Sequence, residues 1–161
     1  MNKIKRKFDY LAYNQFDKSA KIELKKYLER HGFKLVDDSE KKAKVDAVYF
    51  SPQGKEMRFE NEVRISSTFE RIISQFPTVH IPSRKYVSNF DTYFVWKEGF
   101  QEFLAIDKKV FLKHRDKQVD ITCKASTINP EITEKFIDIP KGECRYFKKN
   151  AKGKFRSYSL K

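Results

Sequence analysis

Apolar side chains recur at the spacing of an α-helix in the first part of the chain. From Lys18 to His31 they would fall on one stripe of a helix surface. That stripe consists of Ala20, Leu24, Tyr27 and Leu28. Asp17 or Ser19 is the candidate N-cap, and Gly32 is the candidate C-terminal stop. The preceding residues, Phe8–Phe16, are aromatic without a regular period, and we predict irregular structure there.

Three segments with the composition of β-strands follow this helix. They are Phe33–Val36, Val45–Phe50 and Met57–Ile65, and a charged turn from Asp37 to Lys44 separates the first two. The sequence Ser51-Pro52-Gln53-Gly54 is rich in turn-forming residues, so it should fold the second strand back along the third. We therefore predict a β-hairpin from Val45 to Ile65.

The third strand carries charged residues at every second position. Successive side chains of a strand point to opposite faces, so one face would hold Met57, Phe59, Val63 and Ile65, and the other Arg58, Glu60, Glu62 and Arg64. The hairpin would bring Asp46 near the two glutamates. Three carboxylates in one patch raise one another's pKa and destabilise the fold unless a cation or a basic partner neutralises them. Because hard oxygen ligands favour Mg²⁺ or Mn²⁺ over zinc, Asp46, Glu60 and Glu62 predict a metal site.

A second interpretation of the same hairpin needs no metal. An edge hairpin with a solvated face often alternates acidic and basic residues for solubility, and Arg58 and Arg64 could pair with the two glutamates. The hairpin pattern alone leaves both interpretations open.

The elements after the hairpin alternate between helix and strand. Ser66-Ser67-Thr68 begins a short helix in which Ser67 and Glu70 form a capping box, and Pro77 marks its end. The buried side of this helix would consist of Phe69, Ile72, Ile73 and Phe76. Further strands are predicted at Thr78–Ile81, Thr92–Trp96, Glu102–Ile106 and Lys109–Lys113. The fold class is α/β in the broad sense (α+β): a central mixed β-sheet flanked by helices, with extra antiparallel strands in the C-terminal half.

Length and composition are those of one folded domain. A chain of 161 residues with 39% hydrophobic and 15% aromatic content can bury a core, so we predict a single domain over residues 1–161. No segment has the length of a membrane span, and residues 1–7 lack the apolar segment of a secretory signal, so we expect an intracellular protein without membrane contact. Cys123 and Cys144 show no metal-ligand spacing and are interpreted as small buried residues.

The net charge of +13 lies mainly at the two ends of the chain. Residues 1–7 contribute +4 and residues 141–161 contribute +7, which leaves only +2 for residues 8–140. Basic ends aid solubility, but a nearly neutral body with an acidic cluster between basic segments also suits a protein that holds metal ions against a polyanion. In the C-terminal segment Tyr146, Phe147, Phe155 and Tyr158 interleave with basic residues, which suits either nucleic-acid contact or one packed face.

The order of elements and the acids of the hairpin resemble the PD-(D/E)xK nuclease superfamily. Its common core is a helix, a three-stranded meander, a helix and a further strand, and the resemblance covers about residues 17–81. Asp46 matches the family's aspartate on the second strand. Glu62-Val63-Arg64 matches the acid-x-lysine triplet on the third strand, with arginine in place of lysine, and Glu60-Asn61-Glu62 is an alternative match. Both registers stay open, and Glu23 is the equivalent of the glutamate that many members carry on the first helix.

The resemblance implies a restriction-endonuclease-like αβββαβ core and an Mg²⁺-dependent (or Mn²⁺-dependent) deoxyribonuclease that leaves a 5′-phosphate. Asp46, Glu60 and Glu62 would hold the metal, and Arg64 and Glu23 would complete the catalytic set. Arginine can stabilise charge but cannot act as a general base, because it stays protonated. Contacts to the DNA backbone would come from Arg84, Lys85, Lys148, Lys149, Lys152, Lys154 and Arg156.

The expected setting is the cytoplasm of a bacterial or phage-infected cell. Many such nucleases act as homodimers, although no residue pattern here indicates a dimer face. Two alternatives stay open: a non-catalytic nucleic-acid-binding protein, including a nuclease fold with a degraded site, and a structural or partner-binding protein.

Overall fold

The computed structural model of the protein describes residues 10–37, 47–83, 89–123 and 132–160, with side chains for residues 17–36, 47–83, 89–120 and 135–160. The helices within these residues are α1 (Tyr10–Arg30), α2 (Ser66–Ser74), α3 (Lys108–His114) and a short 3-10 helix, Lys141–Glu143. The strands are β1 (Lys34–Asp37), β2 (Ala47–Phe50), β3 (Glu56–Arg64), β4 (Thr78–Pro82), β5 (Thr92–Lys97), β6 (Glu102–Asp107), β7 (Gln118–Cys123), β8 (Ile132–Pro140), β9 (Arg145–Lys149) and β10 (Phe155–Tyr158). None of the described helices has the length and apolar composition needed to cross a membrane.

The described strands form two sheets. The larger sheet has the order β1-β2-β3-β5-β6-β9-β10, and the smaller has the order β4-β8-β7. Neighbouring strands run antiparallel except β3 and β5, which are parallel because α2 and β4 carry the chain back between them. The larger sheet is therefore mixed and lies between helices, which confirms the predicted fold class at this level.

Helix α1 covers one face of the larger sheet, which we call the outer face. Its predicted apolar stripe is buried, with Leu24 fully enclosed, and it packs against aromatic residues of β3, β5, β6 and β9. The helix ends as predicted at Gly32, which has a φ of 84°. The N–H of Phe33 donates to the carbonyl of Leu28 at 3.0 Å, and the N–H of Gly32 donates to that of Glu29 at 3.0 Å. This is the Schellman pattern, in which glycine best adopts the left-handed conformation.

The opposite face of the larger sheet, which we call the inner face, packs against α2, α3 and the smaller sheet. The core on this side includes Phe69 of α2, Phe111 of α3, Ile81 of β4 and Ile137 of β8. The charged face of β3 therefore lies between two layers of the protein and not on an open hairpin. This second layer is what changes the chemistry of the acidic residues.

Two segments are helical where the sequence predicted otherwise. Residues 10–16 continue α1, so the prediction of irregular structure there is wrong and neither Asp17 nor Ser19 is an N-cap. Lys109–Lys113 lies in α3 and not in a strand. A short apolar run does not distinguish the strand period from the helix period, and the buried positions Val110, Phe111 and His114 follow the helix period.

The start of α2 also differs from the prediction. Its N-cap is Ile65 and has no side-chain capping hydrogen bond, so the capping box of Ser67 and Glu70 does not form. Glu70 instead accepts a hydrogen bond from the ammonium group of Lys97 at 2.9 Å. Phe76, predicted to be buried, lies beyond the end of the helix and is 41% exposed.

The fourth predicted strand forms at its expected place in the chain but in the other sheet. Strand β4 pairs with β8, so the position beside β3 is taken by β5. The inner face around Glu60 and Glu62 is therefore formed by β3 and β5, and β4 and α2 lie on that side of the sheet.

Candidate functional site

The hairpin of β2 and β3 forms at the predicted turn. The N–H of Gly54 donates to the carbonyl of Ser51 at 2.8 Å, and the N–H of Ser51 donates to that of Lys55 at 2.7 Å. Gly54 has a φ of 82°, which favours glycine. The register places Ala47 opposite Phe59. The start of β2 therefore lies beside the centre of β3, as the metal-site prediction requires.

Glu60 and Glu62 share the inner face of β3. Glu60 is only 2% exposed, and the side chain of Glu62 is 25% exposed. Glu60 lies opposite Tyr93 of β5, which is fully buried. Burial, together with the negative charges of Glu62 and Glu60, raises the pKa of Tyr93 well above its ordinary value, although the positive charge of Arg64 acts against this. A hydrogen bond with Glu62 also contributes to raising this pKa, although the Tyr93 hydroxyl has no partner within standard geometry among the described residues.

Arg64 is the immediate partner of Glu62. Its Nε and Nη2 atoms both donate to Oε1 of Glu62, at 3.0 and 2.8 Å, and Nη2 also donates to the carbonyl of His80 at 2.6 Å. The guanidinium group thus joins β3 to β4 across the two sheets. This pairing is the one that the metal-free interpretation of the hairpin anticipated for Arg64. Arg58 pairs differently, since its Nη2 lies 3.9 Å from Oε1 of Glu56.

Three of the predicted site residues lie outside the described residues. These are the candidate ligand Asp46 and the candidate DNA contacts Arg84 and Lys85. Among the side chains that the structure describes, no group of three histidine, cysteine, aspartate or glutamate residues is arranged to hold a metal ion. Of the three predicted ligands, the structure describes the positions of Glu60 and Glu62.

Glu23 is not brought to the two glutamates. It lies on α1, which packs on the outer face of the sheet, and it forms an ion pair with Lys26 at 3.4 Å. Glu60 and Glu62 face the other side of the same sheet. The structure therefore gives Glu23 no contact with this site.

A second cluster of ionisable groups lies further along the inner face, and the sequence analysis did not anticipate it. Lys97 of β5 donates to Oε2 of Glu102 at 2.8 Å and to Oε1 of Glu70 at 2.9 Å, and the Tyr146 hydroxyl donates to Oε1 of Glu102. Burial would raise the pKa of Glu102, but the hydrogen bonds from Lys97 and Tyr146 outweigh it and lower that pKa. The sequence did contain a signal for this cluster, because strand alternation places Lys97 at the end of β5 and Glu102 at the start of β6 on the same face.

The C-terminal basic residues lie on the hairpin of β9 and β10 at one edge of the larger sheet. Its turn is closed by Asn150, whose side-chain oxygen accepts the N–H groups of Lys152 and Lys154, both at 3.0 Å. Lys148, Lys152, Lys154 and Arg156 are exposed, and Lys149 is half-buried with its ammonium group 5.3 Å from the ring centre of Phe155. Phe147 and Phe155 pack against the core of the outer face, so part of the aromatic set is structural.

Cysteine and histidine add no chemistry to the site. Cys144 is buried, and burial raises the pKa of its thiol to about 12, so it stays protonated and unreactive, as predicted. Cys123 has no described side chain. The Nε2 atom of His80 lies 3.8 Å from Oδ1 of Asp138, its cross-strand neighbour in the smaller sheet. Within the described part of the chain, the hydrogen bond that joins His80 to the site is the one that its main-chain carbonyl accepts from Arg64.

Comparisons of this chain with protein-family models, with curated proteins and with solved structures give no match. The function of the site must therefore be inferred from its own residues.

Proposed function

We propose that the protein is a metal-dependent endonuclease that hydrolyses DNA phosphodiester bonds, with Asp46, Glu60 and Glu62 as ligands of Mg²⁺ or Mn²⁺. The observation that carries this proposal is the pair of glutamates on the inner face of β3, one of them almost completely buried. A buried carboxylate costs several kcal/mol of desolvation, and a hydrophobic residue of similar size serves stability as well or better. A buried glutamate and a partly exposed one at alternate positions of one strand support a retained cation site.

The order of elements supports the same proposal. Helix α1, the meander β1 to β3 and helix α2 follow the order of the PD-(D/E)xK core, and β5 is a later strand that lies beside β3. In this chain β4 belongs to the smaller sheet, and β5, which follows it, belongs to the larger sheet. A restriction-endonuclease-like core is therefore part of the proposal and rests on this order and on the hairpin.

The donor set fits a hard divalent cation. Glu60 and Glu62 offer carboxylate oxygens. Asp46 directly precedes Ala47, the first residue of β2, and Ala47 lies opposite Phe59, which is next to Glu60 in the chain. A bound ion would activate water and neutralise charge at the scissile phosphate. Arg64 stays protonated, so its role would be to bind phosphate, and Tyr93, with its raised pKa, stays protonated near neutral pH and could donate a hydrogen bond. The cytoplasmic setting and a homodimer stay predictions.

The direct test is cleavage of plasmid, branched and single-stranded DNA with Mg²⁺, Mn²⁺ or EDTA. Asp46→Asn and Glu62→Gln should each slow metal-dependent cutting by about 100-fold or more, because a lost ligand removes several kcal/mol of charge stabilisation. Glu56→Gln is the matched control, since Glu56 lies on the same strand and face but is exposed. Cutting that persists in EDTA, or that survives both ligand variants, would contradict the proposal.

One observation favours a second function, a nucleic-acid-binding protein without catalysis. Two nitrogens of Arg64 occupy Oε1 of Glu62, which weakens that oxygen as a metal ligand. Under this alternative the wild type binds DNA but does not cut it. The Arg64→Lys variant separates the two cases, because lysine cannot form the same two-nitrogen contact. For a nuclease it should bind Mn²⁺ more tightly than the wild type does, as measured by calorimetry, whereas a protein without a metal site gains nothing.

A further inference from the structure

The β9–β10 hairpin exposes one aromatic ring on the inner face, and this ring is Tyr158. It is 50% exposed, while its cross-strand partner Tyr146 is buried at 7% exposure. The two ring centres are 6.1 Å apart with a tilt of 50° between the planes. Tyr146 is held in turn by Glu102, which accepts a hydrogen bond from its hydroxyl group. Tyr158 is therefore positioned on one side by a fixed neighbour and is open on the other.

Two exposed cations flank this ring on the same face. Lys148 and Arg156 are direct cross-strand partners, each two residues from one of the two tyrosines, so all four side chains share the inner face. The aromatic rings on the other face of this hairpin, Phe147 and Phe155, are instead committed to the core. The inner face thus combines an open ring with two mobile positive charges.

The same face of the sheet also carries the proposed catalytic glutamates, although Val95 and Leu104, which lie between the two sites, are fully buried. The strand registers pair Glu62 with Val95, Val95 with Leu104, Leu104 with Tyr146 and Tyr146 with Tyr158. Glu62 and Tyr158 therefore lie in one cross-strand row on one face. Four steps of about 4.8 Å separate them by about 19 Å. A cleft of about 380 Å³ opens beside Tyr158 and Tyr146, with Gly142, Ser157 and Ser159 in its walls.

We propose that Tyr158, with Lys148 and Arg156, is a stacking platform for an unpaired nucleotide, so the substrate class contains a single-stranded segment. The inference rests on the proposed function for its link to Glu62. A base can stack on an aromatic ring only when it is not enclosed in a duplex, whereas lysine and arginine attract phosphate in any nucleic acid. The ring, and not the charge, therefore distinguishes single strands from duplexes.

The test measures binding in EDTA, which keeps it separate from cleavage, using a labelled single-stranded oligothymidylate and a duplex of equal length. Tyr158→Leu should weaken single-strand binding by about 5- to 150-fold and leave duplex binding within about twofold, since stacking contributes about 1–3 kcal/mol per base. Tyr158→Phe should bind like the wild type. Lys148→Ala and Arg156→Ala should weaken both ligands and lower the salt dependence of binding. An oligouridylate arm identifies whether DNA or RNA is the better single strand.

The matched control is Phe76→Leu, because Phe76 is a similarly exposed ring outside the platform. Equal binding of single strands by Tyr158→Leu and the wild type would overturn the platform, as would an equal loss for single strand and duplex. Loss of cutting in Glu62→Gln with Tyr158-dependent binding intact supports both proposals. Tyr158-dependent binding without any cutting refutes the nuclease and leaves the platform standing.

Discussion

The two faces of the larger sheet are built from the same strands but carry different chemistry. On the outer face, β3, β5, β6 and β9 contribute Phe59, Phe94, Trp96, Phe103 and Phe147, and helix α1 covers them. A buried hydrogen bond there joins two side chains: the indole N–H of Trp96 donates to Oδ1 of Asn61 at 2.7 Å. On the inner face the same strands hold acids, bases and phenols between the apolar residues.

The two faces differ in the desolvation cost of the side chains that they bury. The outer face buries a continuous set of aromatic rings, with Phe103 and Phe147 stacked at 4.7 Å and Phe103 and Trp96 at 4.6 Å. The inner face buries Glu60 and encloses most of Glu102 and Lys97, each at a cost in desolvation. We infer that the outer face stabilises the sheet through aromatic packing, whereas the inner face combines a larger apolar core with ionisable groups that can form a site.

The largest expected effect follows from Phe103, whose ring is fully buried on the outer face. Phe103→Ala should lower the free energy of unfolding by about 3–5 kcal/mol, because it removes buried area and leaves a cavity among several rings. Urea denaturation followed by tryptophan fluorescence measures this loss. Leu112→Ala, at an exposed position of α3, is the control and should change stability by less than about 0.5 kcal/mol. A small loss for Phe103→Ala would break the contrast between the faces.

A smaller effect is expected for Lys97 on the inner face. The hydrogen bonds that Lys97 donates to Glu102 and Glu70 raise the pKa of Lys97, so it is charged at neutral pH and bridges β6 to α2. Lys97→Met should cost about 1.5–3 kcal/mol, the usual range for hydrogen bonds to charged groups. The same denaturation experiment applies, with Lys109→Met of α3 as the control. No loss for Lys97→Met would mean that the inner-face ions contribute nothing to folding.

The smallest effect is a change in acid sensitivity. The pKa of Glu102 lies below its ordinary value of 4.5 in the folded protein, so this group stabilises the fold above pH 4.5 and loses that contribution as the pH falls through its folded pKa. Glu102→Gln removes the contribution. The stability difference between wild type and variant should therefore be largest near neutral pH and shrink below about pH 4.5.

Urea midpoints at several pH values measure this difference. The pKa of Glu143 is also lowered, by hydrogen bonds from Lys113 and His114, and its contribution is common to both proteins. A difference that stays constant from neutral to acid pH would show that Glu102 is not stabilised as a carboxylate.

The sequence alone determined the local elements that have a strong helix or strand period, or that end at a glycine or a turn-forming segment. The stripe of α1, its stop at Gly32, and the hairpin with its turn at Ser51–Gly54 were correctly predicted, because helix period, strand period and glycine conformation are properties of neighbouring residues. The alternation of β3 also predicted that Glu60 and Glu62 share a face. Short segments such as Lys109–Lys113 were wrong, since a few residues do not separate two periods.

Only the tertiary structure decided what covers each face. Nothing near Glu60 in the sequence indicates that it is almost completely buried, that Arg64 bonds to Glu62 and the carbonyl of His80, or that Lys97 bonds to Glu102. These contacts join residues that are distant in the chain or depend on the order of strands, and strand order is set by the packing of whole layers. Alternation assigns a side chain to a face, but the environment of that face is a property of the folded chain.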